Sequence, residues 1–97
     1  LSPRVIVEEV CNYYDVSPQL LASRRRSADI STPRQVAVYL LRELAQCNLK
    51  EIGAILGGRD HSSIRYAWAR IDTALGSDSR LLADITELRR ILSLQTQ

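Results

Sequence analysis

Between positions 49 and 75 the apolar residues fall into two short helical registers separated by glycine. Leu49, Ile52, Ile55 and Leu56 form the first, at the spacing of one helix face. Gly57-Gly58 stops it, because glycine enters the left-handed conformation that ends many helices without a Cβ penalty. Asp60 then supplies an N-cap, and Ile64, Ala67, Trp68, Ile71 and Leu75 repeat as a second buried stripe. Opposite that stripe lie Ser62, Tyr66, Ala69 and Thr73, flanked by Ser63, Arg65 and Arg70. Two amphipathic segments around a tight glycine turn predict a helix-turn-helix whose second helix carries a polar, cationic face of the kind a DNA major groove accepts.

The same patterning organises the rest of the chain. Ser2-Pro3 and Ser17-Pro18 each pair a capping serine with proline at the first helical position. The first pair opens a helix to about residue 14 with Val5, Ile6, Val10 and Tyr13 on its apolar face. Asp15 to Ser17 breaks the chain, and the second pair opens a brief helix through Leu20, Leu21 and Ala22. Ser23 to Ser31 has no periodicity and predicts an arginine-rich loop. Thr32-Pro33 predicts the start of a central helix with Val36, Ala37, Leu40, Leu41 and Leu44 as its stripe, ending near Gln46. Asn48 is a candidate cap for the next helix. Beyond a break at Gly76-Ser77-Asp78-Ser79, a last helix carries Leu81, Leu82, Ile85, Leu88, Ile91 and Leu92. No alternating Val/Ile/Thr run appears, so the expected fold is all-α, with about six helices.

With 97 residues, 45% of them hydrophobic, the chain fits one small domain with a single core. Phenylalanine and methionine are absent, so leucine, isoleucine, valine and alanine must fill that core. A net charge of +2 does not by itself mark a nucleic-acid binder. Its distribution changes the picture: Arg24, Arg25 and Arg26 are consecutive, whereas the acids are scattered, and a basic loop beside a helix-turn-helix is the electrostatic footprint duplex DNA requires. Cys11 and Cys47 lie in helical, partly apolar stretches and read as buried free thiols. A single histidine argues against a Cys/His metal site, and no metal is expected. Absence of a signal peptide or membrane-length apolar run gives a reducing cytoplasm as the expected location and no membrane partner.

Gly57 to Ile64, Gly-Gly-Arg-Asp-His-Ser-Ser-Ile, is similar to the signature of the C-terminal DNA-binding domain (domain IV) of DnaA, the bacterial chromosomal replication initiator. The surrounding landmarks agree in order and spacing: Ser23-Arg24-Arg25-Arg26, Pro33-Arg34-Gln35, Arg42-Glu43-Leu44 and Leu49-Lys50-Glu51-Ile52-Gly53. The resemblance implies a Trp-repressor-like fold and sequence-specific binding of double-stranded DNA at DnaA-box-like sites of the TTATCCACA type, for replication initiation and its regulation. It places Arg26 in the minor groove, and Asp60, His61, Ser62 and Ser63 at the major groove. Arg24, Arg25, Arg34, Gln35, Arg42, Tyr66 and Arg70 are the expected phosphate contacts. Arg34 and Gln35, read as the first turn of a helix starting at Pro33, form an anion site with the helix dipole. Arg42 either faces DNA or pairs internally with Glu43 or Glu51. Trp68, within the apolar stripe, reads as core.

The sequence also departs from the family pattern. Lys50, grouped with the major-groove residues, stands where proline is frequent and would offer a phosphate contact instead, Ser62 and Ser63 replace threonines, and Ala28 and Thr32 stand where basic residues are common. No cofactor is expected in this segment, ATP belonging to a separate domain, and the isolated domain is expected to be a monomer on the nucleoid that meets protein partners within a replication complex. Two further readings stay open: a DnaA-like domain of a transposase-associated or regulatory protein, and a helical protein-interaction module. Catalysis is not expected. Gly53, Gly57 and Gly58 lack the Gly-Lys-Ser/Thr of a P-loop, and Asp60-His61-Ser62 are sequence neighbours rather than a convergent triad.

Overall fold

A computed structural model describes residues 1–96. It contains α1 (Pro3–Tyr14), α2 (Pro18–Leu21), α3 (Ala28–Ala45), α4 (Leu49–Ile55), α5 (His61–Ala74) and α6 (Ser79–Ser93), followed by a 3₁₀ turn over Leu94–Thr96. No strand occurs among the described residues, and no helix there is long and apolar enough to cross a membrane.

Helix starts follow local chemistry. Ser2 Oγ accepts from the Val5 amide at 3.2 Å and Ser17 Oγ from the Leu20 amide at 3.1 Å, each with proline at the next position. Asn48 closes a capping box: its Oδ1 accepts from the Glu51 amide at 2.8 Å, while Glu51 accepts from the Asn48 amide at 2.9 Å. Asp60 caps α5 through the Ser63 amide at 2.8 Å, and Asp78 caps α6 through the Leu81 amide at 3.0 Å.

α3 is the scaffold, with α1 on one side and the helix-turn-helix pair α4 and α5 on the other; α6 lies against α1. Val36, Ala37, Leu40 and Leu41 are fully buried among Ile6, Val10, Leu21, Ile52, Leu56, Ile64, Ile71, Leu88 and Leu92. Cys11 and Cys47 are buried free thiols, and burial pushes both thiol pKa values up. Trp68 is half-buried at the core's edge, stacked on Tyr39 at 6.1 Å between centroids. Three apolar positions depart from expectation: Ile55 and Leu82 are exposed, as is Tyr13.

The start of α3 is also corrected. The helix opens at Ala28, with Ser27 at the N-cap position but making no side-chain cap bond, so residues 28–31, expected to be loop, form its first turn. Asp29 there suits the positive end of the helix dipole. Ile30, 2% exposed, anchors the turn by burial. Pro33 is consequently the sixth helical residue rather than the first, inside the helix, where it removes the backbone bond its amide would otherwise make to the Asp29 carbonyl.

Asp84 is a buried acid the sequence reading counted only among scattered charges. It is 5% exposed, yet its two oxygens accept from the Tyr13 hydroxyl at 2.7 Å and the Tyr14 hydroxyl at 3.0 Å, tying α6 to α1. Arg80 completes the cluster, with Nε 3.5 Å from Oδ1. Burial, then the Asp84 bond, pushes the Tyr14 phenol well above its usual range.

Candidate nucleic-acid interface

Two features of the chain place the site. The α4–α5 turn needs positive φ at Gly57 (+89°) and Gly58 (+80°), which brings α5 back across α3 with its N-terminus exposed. The segment from Ala22 to Ser27, linking α2 to α3, has no backbone ladder of its own and lies alongside that turn. Between them opens a cleft of about 630 Å³. Its floor is apolar, from Val38, Ile64 and Ala67, and its walls carry Arg24, Arg25, Arg26, Arg34, Arg59 and Arg70 with Ser31, Gln35, Ser63 and Tyr66. No carboxylate lines it. Neither of the two ion pairs among the described residues involves these arginines.

The arm and the start of α5 therefore share one face. Arg24, Arg25 and Arg26 are exposed on one wall, and Ser63, Tyr66 (65% exposed) and Arg70 on the other. Asp60, His61 and Ser62 extend from the same α5 terminus beyond the cleft lining, all exposed. Asp60 Oδ1 accepts its cap bond, and Oδ2 makes no hydrogen bond among the described residues. Lys50 is exposed in the first turn of α4, outside the cleft lining.

Two expected phosphate contacts are placed differently. Arg34 is the seventh residue of α3, not a first-turn residue, and is only 7% exposed. Its Nε donates to the Leu21 carbonyl at 2.7 Å, Nη1 to Arg25 at 2.8 Å, and Nη2 to Ser23 at 2.9 Å and Leu20 at 3.5 Å. Of five guanidinium N–H groups, one remains. Desolvation, then the nearby Arg59 charge, lowers the Arg34 pKa. The predicted anion site at Pro33 does not form, because no helix begins there. Arg42 lies outside the cleft lining and pairs with neither Glu43 nor Glu51; its guanidinium covers the Trp68 ring, 4.8 Å from the centroid. Glu43 instead accepts from Trp68 Nε1 at 3.0 Å.

Arg59 was absent from the sequence-based candidates. It projects from the helix-turn-helix turn into the cleft, where Nη1 donates to the Leu56 carbonyl and Nη2 to the Ser23 carbonyl at 2.7 Å. Desolvation, then Arg24, lowers its pKa. No local signal marks its hold on Ser23, because that partner lies 36 positions earlier.

A family model described as the bacterial dnaA protein helix-turn-helix matches residues 3–71, from the start of α1 through most of α5, and so takes in the arm and both helices of the motif. The chain is similar to the chromosomal replication initiator protein DnaA of Roseiflexus castenholzii, 41% identical over 92 residues, covering 95% of this chain and 19% of that protein. The DnaA of Herpetosiphon aurantiacus is 44% identical over 87 residues (90% and 18%), and that of Lactococcus lactis subsp. cremoris 39% over 90 residues (93% and 20%). This chain spans about a fifth of the length of these relatives. On the match across both helices of the motif and the arginine arm, the chain belongs to the bacterial DnaA helix-turn-helix family.

Proposed function

We propose that this chain binds double-stranded DNA sequence-specifically, at DnaA-box-like sites of the TTATCCACA type, and thereby serves the initiation and regulation of chromosomal replication. One observation carries the reading: six guanidinium groups face one cleft with no acid to neutralise them. Such a concentration of like charge is unfavourable in the free protein and is relieved by a polyanion. The relatives' name, chromosomal replication initiator, supports the biological role.

Arg26, on the exposed arm, enters the minor groove, where A·T-rich sequence narrows the groove and deepens its negative potential. Arg24 and Arg25 lie along the adjoining phosphates. The tip of α5 enters the neighbouring major groove, where Asp60 Oδ2 accepts from a cytosine amine and His61, Ser62 and Ser63 meet base edges. Lys50 approaches from α4. Tyr66, Arg70, Gln35 and the last free N–H of Arg34 hold flanking phosphates, whereas Arg42 stays on Trp68.

Fluorescence anisotropy with labelled TTATCCACA and scrambled duplexes, at several salt concentrations, tests the reading. Preference for the box, with log K falling by about 0.9 per phosphate contact against log salt, is expected. Equal affinity for both duplexes would leave a nonspecific binder, and a shallow salt dependence would point to protein docking instead.

A further inference from the structure

We propose that Arg59 is a positioning residue that locks the arginine arm onto the helix-turn-helix turn, so that the minor-groove and major-groove elements reach DNA as one preformed unit. This rests on the DNA-binding reading above.

The arm is the least self-supporting part of the site. Residues 23–26 belong to no helix, and their exposed arginine side chains repel one another. Their backbone is held from outside instead. Arg34 grips the carbonyls of Leu21, Ser23 and Arg25 from α3. Arg59 grips Ser23 from the motif's turn, through Nη2 at 2.7 Å, while its Nη1 stays on Leu56 at the end of α4. The Ser23 carbonyl thus accepts from two guanidinium groups, one on the scaffold helix and one on the motif's turn. Among the described residues, the Arg59 bond is the one hydrogen bond joining that turn to the arm. Packing follows the same line: Gly57 lies so close to the Ala22 carbonyl that a Cβ there would overlap it.

The choice of arginine fits this task. A planar guanidinium presents separate nitrogens to two carbonyls at once, which a lysine ammonium on its flexible stem does not reproduce. Bonds from a charged donor to neutral carbonyls are also stronger than neutral ones, which offsets the cost of placing Arg59 beside Arg24 and Arg34. Without Arg59 the arm keeps its Arg34 bonds but loses its tie to the motif's turn, and restoring that register on binding would be subtracted from affinity.

The test is a double-mutant cycle. Arg59→Lys and Arg59→Met are placed in the wild-type and Arg26→Ala backgrounds. Each is titrated against the box duplex, a duplex with the arm-end A·T pairs replaced by G·C, and one altered at the pairs under α5. Arg59→Lys, which keeps the charge, is expected to weaken box binding by about tenfold and to erase discrimination at the arm end while keeping it under α5. In the Arg26→Ala background the same change is expected to matter by less than about twofold. Backbone ¹⁵N order parameters at residues 24–26 are expected to fall in Arg59→Lys without DNA. If Arg59→Met does not fold, the lysine variant and the order parameters decide. Retained arm-end discrimination, additive effects of the two substitutions, or unchanged order parameters overturn the proposal. Failure of the wild-type chain to prefer the box would instead overturn the DNA-binding reading itself.

Discussion

Replacing Gly57 and Gly58 separately by alanine measures how tightly the motif's turn is seated against the arm. Both glycines have positive φ, +89° and +80°, so either alanine incurs the left-handed penalty of roughly 1–2 kcal/mol. They differ in their surroundings. A Cβ on Gly58 meets nothing within 4 Å, whereas one on Gly57 overlaps the Ala22 backbone carbonyl, which cannot rotate away. Overpacking of that kind typically costs 1–3 kcal/mol. Gly57→Ala is therefore expected to destabilise by about 2–5 kcal/mol and Gly58→Ala by about 1–2 kcal/mol. Urea titration followed by circular dichroism reads the difference. With a slope of ~2 kcal/mol per molar urea, the Gly57→Ala midpoint should lie about 1 M below that of Gly58→Ala. Coincident midpoints would refute the reasoning, because they would show that the turn does not bear on Ala22.

Three further predictions address the site and the core. Arg26→Ala is expected to weaken box binding by ~1–3 kcal/mol and relax the preference for A·T at the arm's base pairs; an unchanged isotherm on the box duplex would reject its minor-groove role. Asp60→Ala removes the α5 cap and is expected to cost ~1 kcal/mol, a melting temperature lower by about 5 °C, and calorimetry showing no change would contradict the capping geometry. Folding keeps the Tyr14 phenol protonated, its pKa raised by burial and then by Asp84, so its contribution is fully present below the unfolded tyrosine pKa of about 10 and is lost as pH rises beyond it. Urea midpoints between pH 8 and pH 11 should therefore fall more steeply for the wild-type chain than for Tyr14→Phe, and parallel curves would remove the Asp84 cluster from the account.

What the sequence made legible was local. Ser2-Pro3, Ser17-Pro18, Asn48 with Glu51, and Asp60 use partners within three residues, so the signal and the structure it produces lie in the same few positions. The helix-turn-helix was readable for the same reason. What escaped involved distant partners. Thr32-Pro33 imitates a helix start, and burial of Ile30 against the rest of the fold, with Asp29 at the dipole's positive end, carries α3 back to Ala28. Arg34 and Asp84 did leave a trace: each falls at helical spacing within an apolar stripe, Arg34 between Ile30 and Leu41, Asp84 beside Leu81, Ile85 and Leu88. A charge on a buried face requires a buried partner, but the partner's identity is set by tertiary structure. Arg59 left no such trace, since a turn arginine usually points to water.

On the proposed reading, one face of this chain occupies two grooves of a duplex together. Dimethyl sulfate distinguishes the grooves, because it methylates guanine N7 in the major groove and adenine N3 in the minor groove. With the chain bound to a TTATCCACA duplex, protection is expected of adenine N3 at the A·T-rich end and of guanine N7 opposite the CC step, with loss of the adenine protection alone in Arg26→Ala. Protection confined to a single groove, or Arg26→Ala abolishing both sets together, would refute two-groove binding.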